Sequence, residues 1–439
     1  MSLRVVAFLG VALSLGFGAV AVEADRPAVP AVTLAEARTI AFAKNWDLLA
    51  ARADVDIATA QKLVAGEIPN PVLALSVTKV PADNSPSATS LGNGLFHRSY
   101  DTIAAFNQLV EIGGKRSARK ASAAAGIEGA KARFADARRQ LDLAVARGYV
   151  AVLLADEQAR VLRASAGSLR QEAGIAETRL TAGDISRADR DQIAITADRI
   201  ELDAGRAEAE ARTARLQIEV LLGITGARGE FSPAESLVQL ADRSTATDRA
   251  DSGSRPVADR PDVVAARAGV AKAEADLRLQ RAQRIPDPTL LVQYEREPPD
   301  KTDSVGLGVS FPLPLWNRNR GNIAAASATR DQAALRARQA EAVAAAEVSA
   351  AGLGLVTASE RRARYAGRIV PGSAAITTAM RYAYQKGGAS LLDLLTAERN
   401  DNDVRLAAAA AAADVANAAA ALEAALGPIS ALPTPSKRP

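Results

Sequence analysis

The stretch IPNPVLALSV at residues 68–77 returns in altered form as IPDPTLLVQY at residues 285–294, and this repetition constrains the fold most. In each copy two prolines, one residue apart, follow a helical run, and apolar side chains then alternate with small or polar ones. Proline disfavours helix at the preceding residue and lacks the N–H that would continue one. Each copy therefore predicts a helix end followed directly by a strand.

Three further pairs of similar segments occur in the same order, which predicts two copies of one unit arranged head to tail. The pairs are AARADVDIATAQ (50–61) with AARAGVAKAEAD (265–276), RKASAAA (119–125) with IAAASAT (323–329), and AGDISRAD (182–189) with KGGASLLD (386–393). We therefore expect a first repeat over 25–225, a polar and irregular segment over 226–260, a second repeat over 261–426 and a loose tail over 427–439.

Each repeat has the same predicted elements. A helix over 33–66, or over 261–284, precedes two strands, a very long helix, a glycine-containing turn and a second long helix. Residues 115–181 contain no proline, and apolar residues recur there at three- and four-residue steps, as at Leu141, Val145 and Tyr149. About 65 helical residues span about 100 Å, so these helices are expected to lie along neighbours as in coiled coils.

The strands are predicted to be apolar on one face only. In SVGLGVSFPL (304–313), the residues Val305, Leu307, Val309, Phe311 and Leu313 alternate with small or polar ones. The pattern is typical of a transmembrane β-barrel wall, although an ordinary half-buried sheet alternates too. Four strands alone would leave open edges, which lipid does not tolerate, so a barrel would need further copies of the chain.

Composition excludes several kinds of function. The 439-residue chain has no cysteine and one histidine, which excludes thiol chemistry and Cys/His metal cages. That histidine, His97, lies in a loop between strands, and alone it cannot form a tight metal site. The net charge of +4 is spread along the chain, without a nucleic-acid footprint. No catalytic constellation is visible, so we predict no enzyme activity, cofactor or metal site.

The N-terminal residues 1–24 are predicted to be a secretory signal peptide. One arginine precedes an apolar stretch, and small residues suit cleavage after Ala21 or Ala24. A retained membrane anchor is the alternative, because the apolar run is fairly long. No cysteine follows, so the mature chain is not expected to be a lipoprotein.

Strand pairs that cannot close alone, very long helices and two repeats in an exported chain resemble the TolC-type outer membrane efflux family. The resemblance implies a mainly α protomer with a small transmembrane β part. Three protomers would form a twelve-stranded β-barrel and a helical periplasmic tunnel, whereas strand arithmetic alone also permits a closed dimer of eight strands. The implied location is the outer membrane, with most of the chain in the periplasm. The implied partners are outer membrane lipid, a periplasmic adaptor and an inner-membrane RND pump.

The segment FPLPLWNRNRGNIAAA (311–326) is similar to the signature of the CzcC-type branch, which serves cobalt, zinc and cadmium efflux. The matching residues are Phe311, Pro312, Pro314, Asn317, Arg318, Asn319 and Gly321. The predicted function is thus the exit duct of a tripartite system for heavy-metal cations. A duct for drugs or for type I protein secretion is an alternative, as is a periplasmic adaptor, which should contain many short strands.

The turns TAGDISRAD and KGGASLLD are the candidate functional residues. Glycine can end one helix, and Ser-x-x-Asp can cap the next. The resemblance implies that these turns form the periplasmic gate of the tunnel, with Tyr384 and Asp189 linking helical pairs and Asp393 lining the aperture. Ala389 and Thr396 depart from the family pattern, which has arginine and aspartate there. Capping and gating both remain open for Gly183, Ser186, Asp189, Tyr384, Gly387, Ser390 and Asp393.

Overall fold

A computed structural model describes residues 31–78, 101–247, 257–297 and 302–427. The predicted signal peptide, His97 and residues 428–439 of the predicted tail lie outside the described residues. The elements of the first repeat are α1 (Leu34–Lys44), α2 (Trp46–Gly66), β1 (Val72–Thr78), β2 (Asp101–Leu109), α3 (Lys115–Ala182) and α4 (Arg187–Leu221). They are followed by α5 (Leu237–Thr247), α6 (Pro261–Ala282), β3 (Thr289–Glu297), β4 (Thr302–Ser310), α7 (Arg320–Arg364), α8 (Val370–Gln385) and α9 (Leu391–Leu426).

The first helical segment is two helices, so the prediction of one continuous helix over 33–66 is wrong. Asn45 has an extended backbone (φ −63°, ψ 128°) and lies between α1 and α2. Its side-chain oxygen accepts a hydrogen bond from the Leu48 N–H at 3.0 Å, and its side-chain N–H donates to the Leu221 carbonyl at 3.0 Å. Asparagine is a favoured N-cap, and here the cap also binds the end of α4.

The 68-residue helix α3 confirms the prediction for 115–181 and extends about 100 Å. It packs along α4, α6, α2 and α9. Ion pairs join α3 to α4, and their α3 members occur at every seventh residue, as in the flanking positions of a coiled coil. The pairs are Asp156–Arg215, Arg163–Glu208, Arg170–Glu201 and Glu177–Arg190. The heptad spacing fixes the antiparallel register of this hairpin.

The apolar core lies midway along the long helices. Val145, Tyr149 and Val152 of α3 are fully buried there against Ile218 of α4 and residues of α9. The Tyr149 ring meets the Phe231 ring edge to face, with centroids 5.9 Å apart, and its hydroxyl donates to the Val32 carbonyl at 2.9 Å. These contacts fasten the chain ahead of α1 to the middle of the first helical hairpin.

The segment between the repeats is more ordered than predicted. The prediction of irregular structure is wrong for Leu237–Thr247, which form α5. Its apolar residues Phe231, Leu237 and Leu240 are buried in the core. The Glu219 carboxylate accepts hydrogen bonds of 2.6–2.9 Å from four consecutive backbone N–H groups, residues 228–231. Burial raises the pKa of Glu219, but these four donors outweigh burial and lower it overall. These hydrogen bonds hold residues 228–231 against the end of α4.

The second repeat interrupts its long helix. Tyr365–Ile369 form a turn of π-helix between α7 and α8, and Pro371 in the first turn of α8 has no N–H to donate. The stretches Arg320–Gln385 and Leu391–Leu426 are long and apolar enough to cross a membrane by length and composition alone. Their apolar content is largely alanine, and α9 buries alanines against α3 and α7. Close packing therefore accounts for α9, whereas most of the apolar part of Arg320–Gln385 is exposed in a single chain.

The four strands form one antiparallel sheet in the order β1-β2-β3-β4. Strand β4 ends at Ser310, which pairs with Thr289, so the predicted continuation of the strand through Phe311 and Leu313 is wrong. The reason is that Pro312, which would make the next bond to the partner strand, lacks the N–H that would extend the ladder. The predicted alternation holds within the strands, and apolar side chains share one exposed face, with Leu75 at 74% and Leu307 at 82% exposure.

Candidate functional site

Two tight turns close the helical hairpins at the end farthest from the sheet. Gly183 (φ +81°) ends α3 and Gly387 (φ +76°) ends α8, in a backbone conformation that favours glycine. The Asp184 N–H donates to the Arg179 carbonyl at 2.9 Å, and the Gly388 N–H donates to the Ala383 carbonyl at 2.8 Å. These bonds satisfy the last carbonyls of each helix, and the predicted glycine stops are confirmed.

Each turn is followed by a complete capping box, as predicted. The Asp189 N–H donates to the Ser186 hydroxyl oxygen at 3.1 Å, and the Ser186 N–H donates to the Asp189 carboxylate at 3.4 Å. Ser390 and Asp393 repeat the arrangement at 3.2 and 3.1 Å. Hydrogen bonds from the Ser390 hydroxyl and backbone lower the pKa of Asp393, so its carboxylate is charged at neutral pH. Both aspartates therefore cap helices, and Asp393 carries an exposed negative charge.

Tyr384 does not form the expected link to Asp189 in a single chain. Its side chain is 7% exposed, and its hydroxyl has no hydrogen-bond partner among the described residues. The Arg179 guanidinium lies 5.2 Å from the ring centroid, a cation–π contact. The Asp189 carboxylate instead accepts the Ser186 hydroxyl at 2.9 Å. Burial raises the pKa of the Tyr384 hydroxyl. The Arg179 charge lowers this pKa, the Asp189 charge raises it, and the net change is upward.

A buried polar cluster above the turns joins the first hairpin to the second. Arg381 of α8 forms an ion pair with Glu398 of α9 and lies 3.6 Å from the Glu172 carboxylate of α3. It also donates to the Ser168 hydroxyl at 3.1 Å. Burial raises the pKa of Glu172, the Arg381 charge lowers it, and Glu398 raises it. One arginine thus holds two buried carboxylates of different helical pairs.

One residue of this cluster, Glu172, can be recognised from the sequence. Leu169, Glu172 and Ala176 follow the three- and four-residue steps of the buried stripe of α3, so Glu172 is a charged residue at an apolar position. A charge at such a position requires a partner. The partner could not be identified from sequence, because Arg381 lies 209 residues away and nothing local links it to α3.

The signature residues lie at the opposite end of the helices, between β4 and α7. Asn319 caps α7 with φ +58°, a left-handed conformation that asparagine tolerates. Its side-chain N–H donates to the Gln280 carbonyl of α6 at 2.7 Å, and its backbone N–H donates to the Asn317 side chain at 3.0 Å. Trp316 is 93% exposed. The asparagines therefore shape the strand-to-helix turn, far from the capped turns.

The equivalent turn of the first repeat interlocks with the second IPxP motif. Gly113 and Gly114 both have positive φ, a conformation that favours glycine, and they turn the chain from β2 into α3. Lys115 is buried, and its ammonium lies 2.6 Å from the Asp287 carboxylate and donates to the Ile285 carbonyl at 2.5 Å. The Ile112 N–H donates to Asp287 at 2.9 Å. The two repeats are thereby joined where the sheet meets the helices.

The two faces of the sheet differ in chemistry. One face, called the inner face below, carries mainly small and polar side chains, with Ile103 and Leu291 among them. At one end of it, Asp101, Glu295 and Glu297 bring one carboxylate oxygen each to within 4.8 Å of one another. No local motif predicts this acidic cluster, because its members come from two strands that are far apart in the sequence. The other face carries exposed apolar residues, namely Leu73, Leu75, Val77, Phe106, Leu290, Val292, Tyr294, Val305, Leu307 and Val309.

An exposed apolar face on four strands, above paired helices about 100 Å long, defines an outer membrane efflux channel rather than a globular domain. The family model described as outer membrane efflux protein matches residues 38–224 and 254–428, so the chain belongs to that family. The family resemblance drawn from the sequence is confirmed.

Individual relatives agree with this assignment. The chain is 26% identical over 374 residues to the cobalt-zinc-cadmium resistance protein CzcC of Cupriavidus metallidurans, covering 85% of each chain. Its fold is similar to the crystal structure of CusC, with a TM-score of 0.72 and 18% identity, covering 90% of this chain and 92% of the other. The CmeC outer membrane channel of Campylobacter jejuni gives a TM-score of 0.72 at 16% identity, covering 96% and 94%.

Proposed function

We propose that this chain is the exit duct of a tripartite efflux system that exports heavy-metal cations such as zinc, cobalt or cadmium. The observation that carries the duct is the four-stranded sheet, which has an apolar outer face and two unpaired edges. Such a sheet can enter lipid only as part of a closed barrel. Three copies would close twelve strands, and the helices would form a tunnel in the periplasm.

The partners follow from this arrangement. A periplasmic adaptor would bind the capped turns at the far end of the tunnel, and an RND pump in the inner membrane would deliver the cargo. Residues 1–24 would direct export and be removed, and the mature chain, which has no cysteine, would not be lipid-anchored. Transport through a passive duct needs no catalytic group and no cofactor. The adaptor alternative called for many short strands, whereas the described residues contain four strands in one sheet.

The cargo proposal rests on the similarity to CzcC and on the charge of the inner face. Asp101, Glu295 and Glu297 place three carboxylates at one end of the sheet. A ring of acidic groups repeated by three copies favours cations over anions in a pore.

Deleting the gene in a strain that lacks redundant ducts should lower tolerance to zinc, cobalt or cadmium several-fold. A plasmid copy of the gene should restore it. The measurement is growth inhibition by each metal, with a hydrophobic drug and a secreted protein tested in parallel. Unchanged metal tolerance together with lost drug or protein export would assign the duct to the other cargo class.

The gate proposal concerns Asp393. If three copies meet at the tunnel end, three Asp393 carboxylates surround one axis, and the ring should bind multivalent cations. Asp393→Asn should then weaken block by trivalent cations from the periplasmic side about tenfold in single-channel recordings. Asp189→Asn is the matched control, because it alters the same capping box in the other hairpin. Equal block by trivalent cations in the two variants would show that Asp393 acts only as a helix cap.

A further inference from the structure

The two edges of the sheet are complementary because of the internal repeat. Each repeat contributes a first strand, β1 or β3, and a second strand, β2 or β4. Within the chain, the second strand of the first repeat pairs with the first strand of the second repeat, β2 with β3. The strands at the two edges of the described sheet, β4 and β1, are again a second strand and a first strand. Contact between two copies would therefore repeat a contact already present inside each copy.

The repeat also shows which residues are equivalent. Val72 follows the IPNP motif directly, and Thr289 follows IPDP directly. Val72 pairs with Asn107 in the first hairpin, and Thr289 pairs with Ser310 in the second. Asn107 and Ser310 are therefore equivalent positions on the two second strands. The two hairpins share one register.

The pairing between the two repeats is shifted by two residues relative to the pairing within each repeat. Asn107 pairs with Leu291, which lies two residues beyond Thr289. If the same step is used between copies, Ser310 pairs with the residue two beyond Val72, which is Ala74. We propose that β4 of one copy pairs antiparallel with β1 of the next, with Ser310 opposite Ala74. This register rests on the proposed closed assembly and goes beyond it by fixing the subunit contact.

The chemistry of the facing residues fits this register. Leu307 would lie opposite Val77 and Val309 opposite Leu75, so apolar side chains on the outer face meet apolar side chains. Gly308 would lie opposite Ser76 on the inner face, where both residues are small. A slip by one residue would move the apolar side chains of one strand to the inner face. Only slips by an even number of residues therefore remain as alternatives.

The tilt of the strands agrees with this register and excludes the slip that gives a shift of two residues, while the step between the repeats selects a shift of four over six. A line across the sheet joins Val72, Asn107, Leu291 and Gly308, and the proposed pairing continues it to Ser76 of the next copy. The line thus shifts four residues, about 14 Å, over four strand spacings of about 4.8 Å, which corresponds to a tilt of about 35°. Shifts of two or six residues give about 20° or 47°, whereas outer-membrane barrels tilt by about 35–45°.

Cysteine cross-linking can test the register without background, because the chain has no cysteine. The pair Ser310→Cys with Ala74→Cys is suited to a disulfide. The Val110 N–H donates to the Pro288 carbonyl, so Val110 and Pro288 are a hydrogen-bonded pair. Bonded and non-bonded pairs alternate along the ladder, and the equivalent pair, Asn107 with Leu291, lies three pairs away and is therefore non-hydrogen-bonded. Side chains are closest at such pairs. Within one chain β1 and β4 are separated by three strand spacings, about 14 Å, which no disulfide spans.

Three double variants share Ser310→Cys and differ only in the second site, Val72→Cys, Ala74→Cys or Ser76→Cys. After oxidation of outer membranes, the Ala74 variant should form reducible covalent trimers at least tenfold more efficiently than the other two. More efficient cross-linking of the Val72 or Ser76 variant would overturn the register and leave the closed assembly intact. No intersubunit cross-link in any of the three, with each protein inserted in the outer membrane, would overturn both.

Discussion

Replacing Gly223 with alanine is expected to abolish accumulation of the folded protein. Gly223 has φ +71°, and an added Cβ would lie 2.3 Å from the Lys44 carbonyl oxygen and 2.6 Å from its carbon. These atoms belong to the backbone at the end of α1, directly before the Asn45 break, so they cannot move aside independently. The combined strain and overlap should cost more than about 4 kcal/mol, the range of the most damaging single substitutions.

Gly226 supplies a matched control for this variant. It has φ +77°, but an added Cβ would have open space around it. Gly226→Ala should therefore cost only the conformational strain, about 1 kcal/mol, and leave the protein abundant. The measurement is the amount of protein in outer membranes and its thermal unfolding in detergent. Equal behaviour of the two variants would show that the close approach of α1 to the end of α4 is not formed.

The second large effect is expected at Arg381. Arg381→Met removes the positive charge between Glu172 and Glu398 and leaves two buried carboxylates facing each other. The loss should destabilise the contact between α3 and α8 by about 2 kcal/mol, less than for a fully buried pair because Arg381 is partly exposed. If this contact holds the tunnel end closed, the resting conductance in bilayers should rise.

The pH dependence of this variant follows from Glu172. Its pKa is already raised by burial, and loss of the arginine should raise it further. A carboxyl group with a raised folded-state pKa destabilises the fold above its unfolded pKa, and protonation removes that cost. Lowering the pH should thus restore stability and closure to Arg381→Met. Adding Glu398→Gln should also restore them at neutral pH, whereas failure of both rescues would contradict a charge-based contact.

Structural features that depend on a few neighbouring residues were predictable from the sequence. The IPxP motifs fixed the strand starts, the proline-free stretch fixed α3, and the Gly and Ser-x-x-Asp patterns gave the turns and caps. Each depends on backbone chemistry within a few residues. Their predicted roles in gating stay proposals, because capping geometry in one chain does not decide them.

Features that depend on distant partners were not predictable. Asn45 could have continued a helix, but its amide binds the Leu221 carbonyl, and the helix breaks. The segment around α5 reads as polar, yet Glu219 and the core hold it. In each case a tertiary contact decided between local alternatives that are similar in energy.

The central claim is that this chain builds a closed barrel only with copies of itself. The most direct measurement is the mass of the protein extracted from the outer membrane in detergent, by native mass spectrometry or by light scattering with detergent correction. We expect three copies of the mature chain, because three four-stranded sheets close a twelve-stranded barrel. A stable single copy would rule out a barrel built from several chains, and two copies would replace the trimer with an eight-stranded dimer.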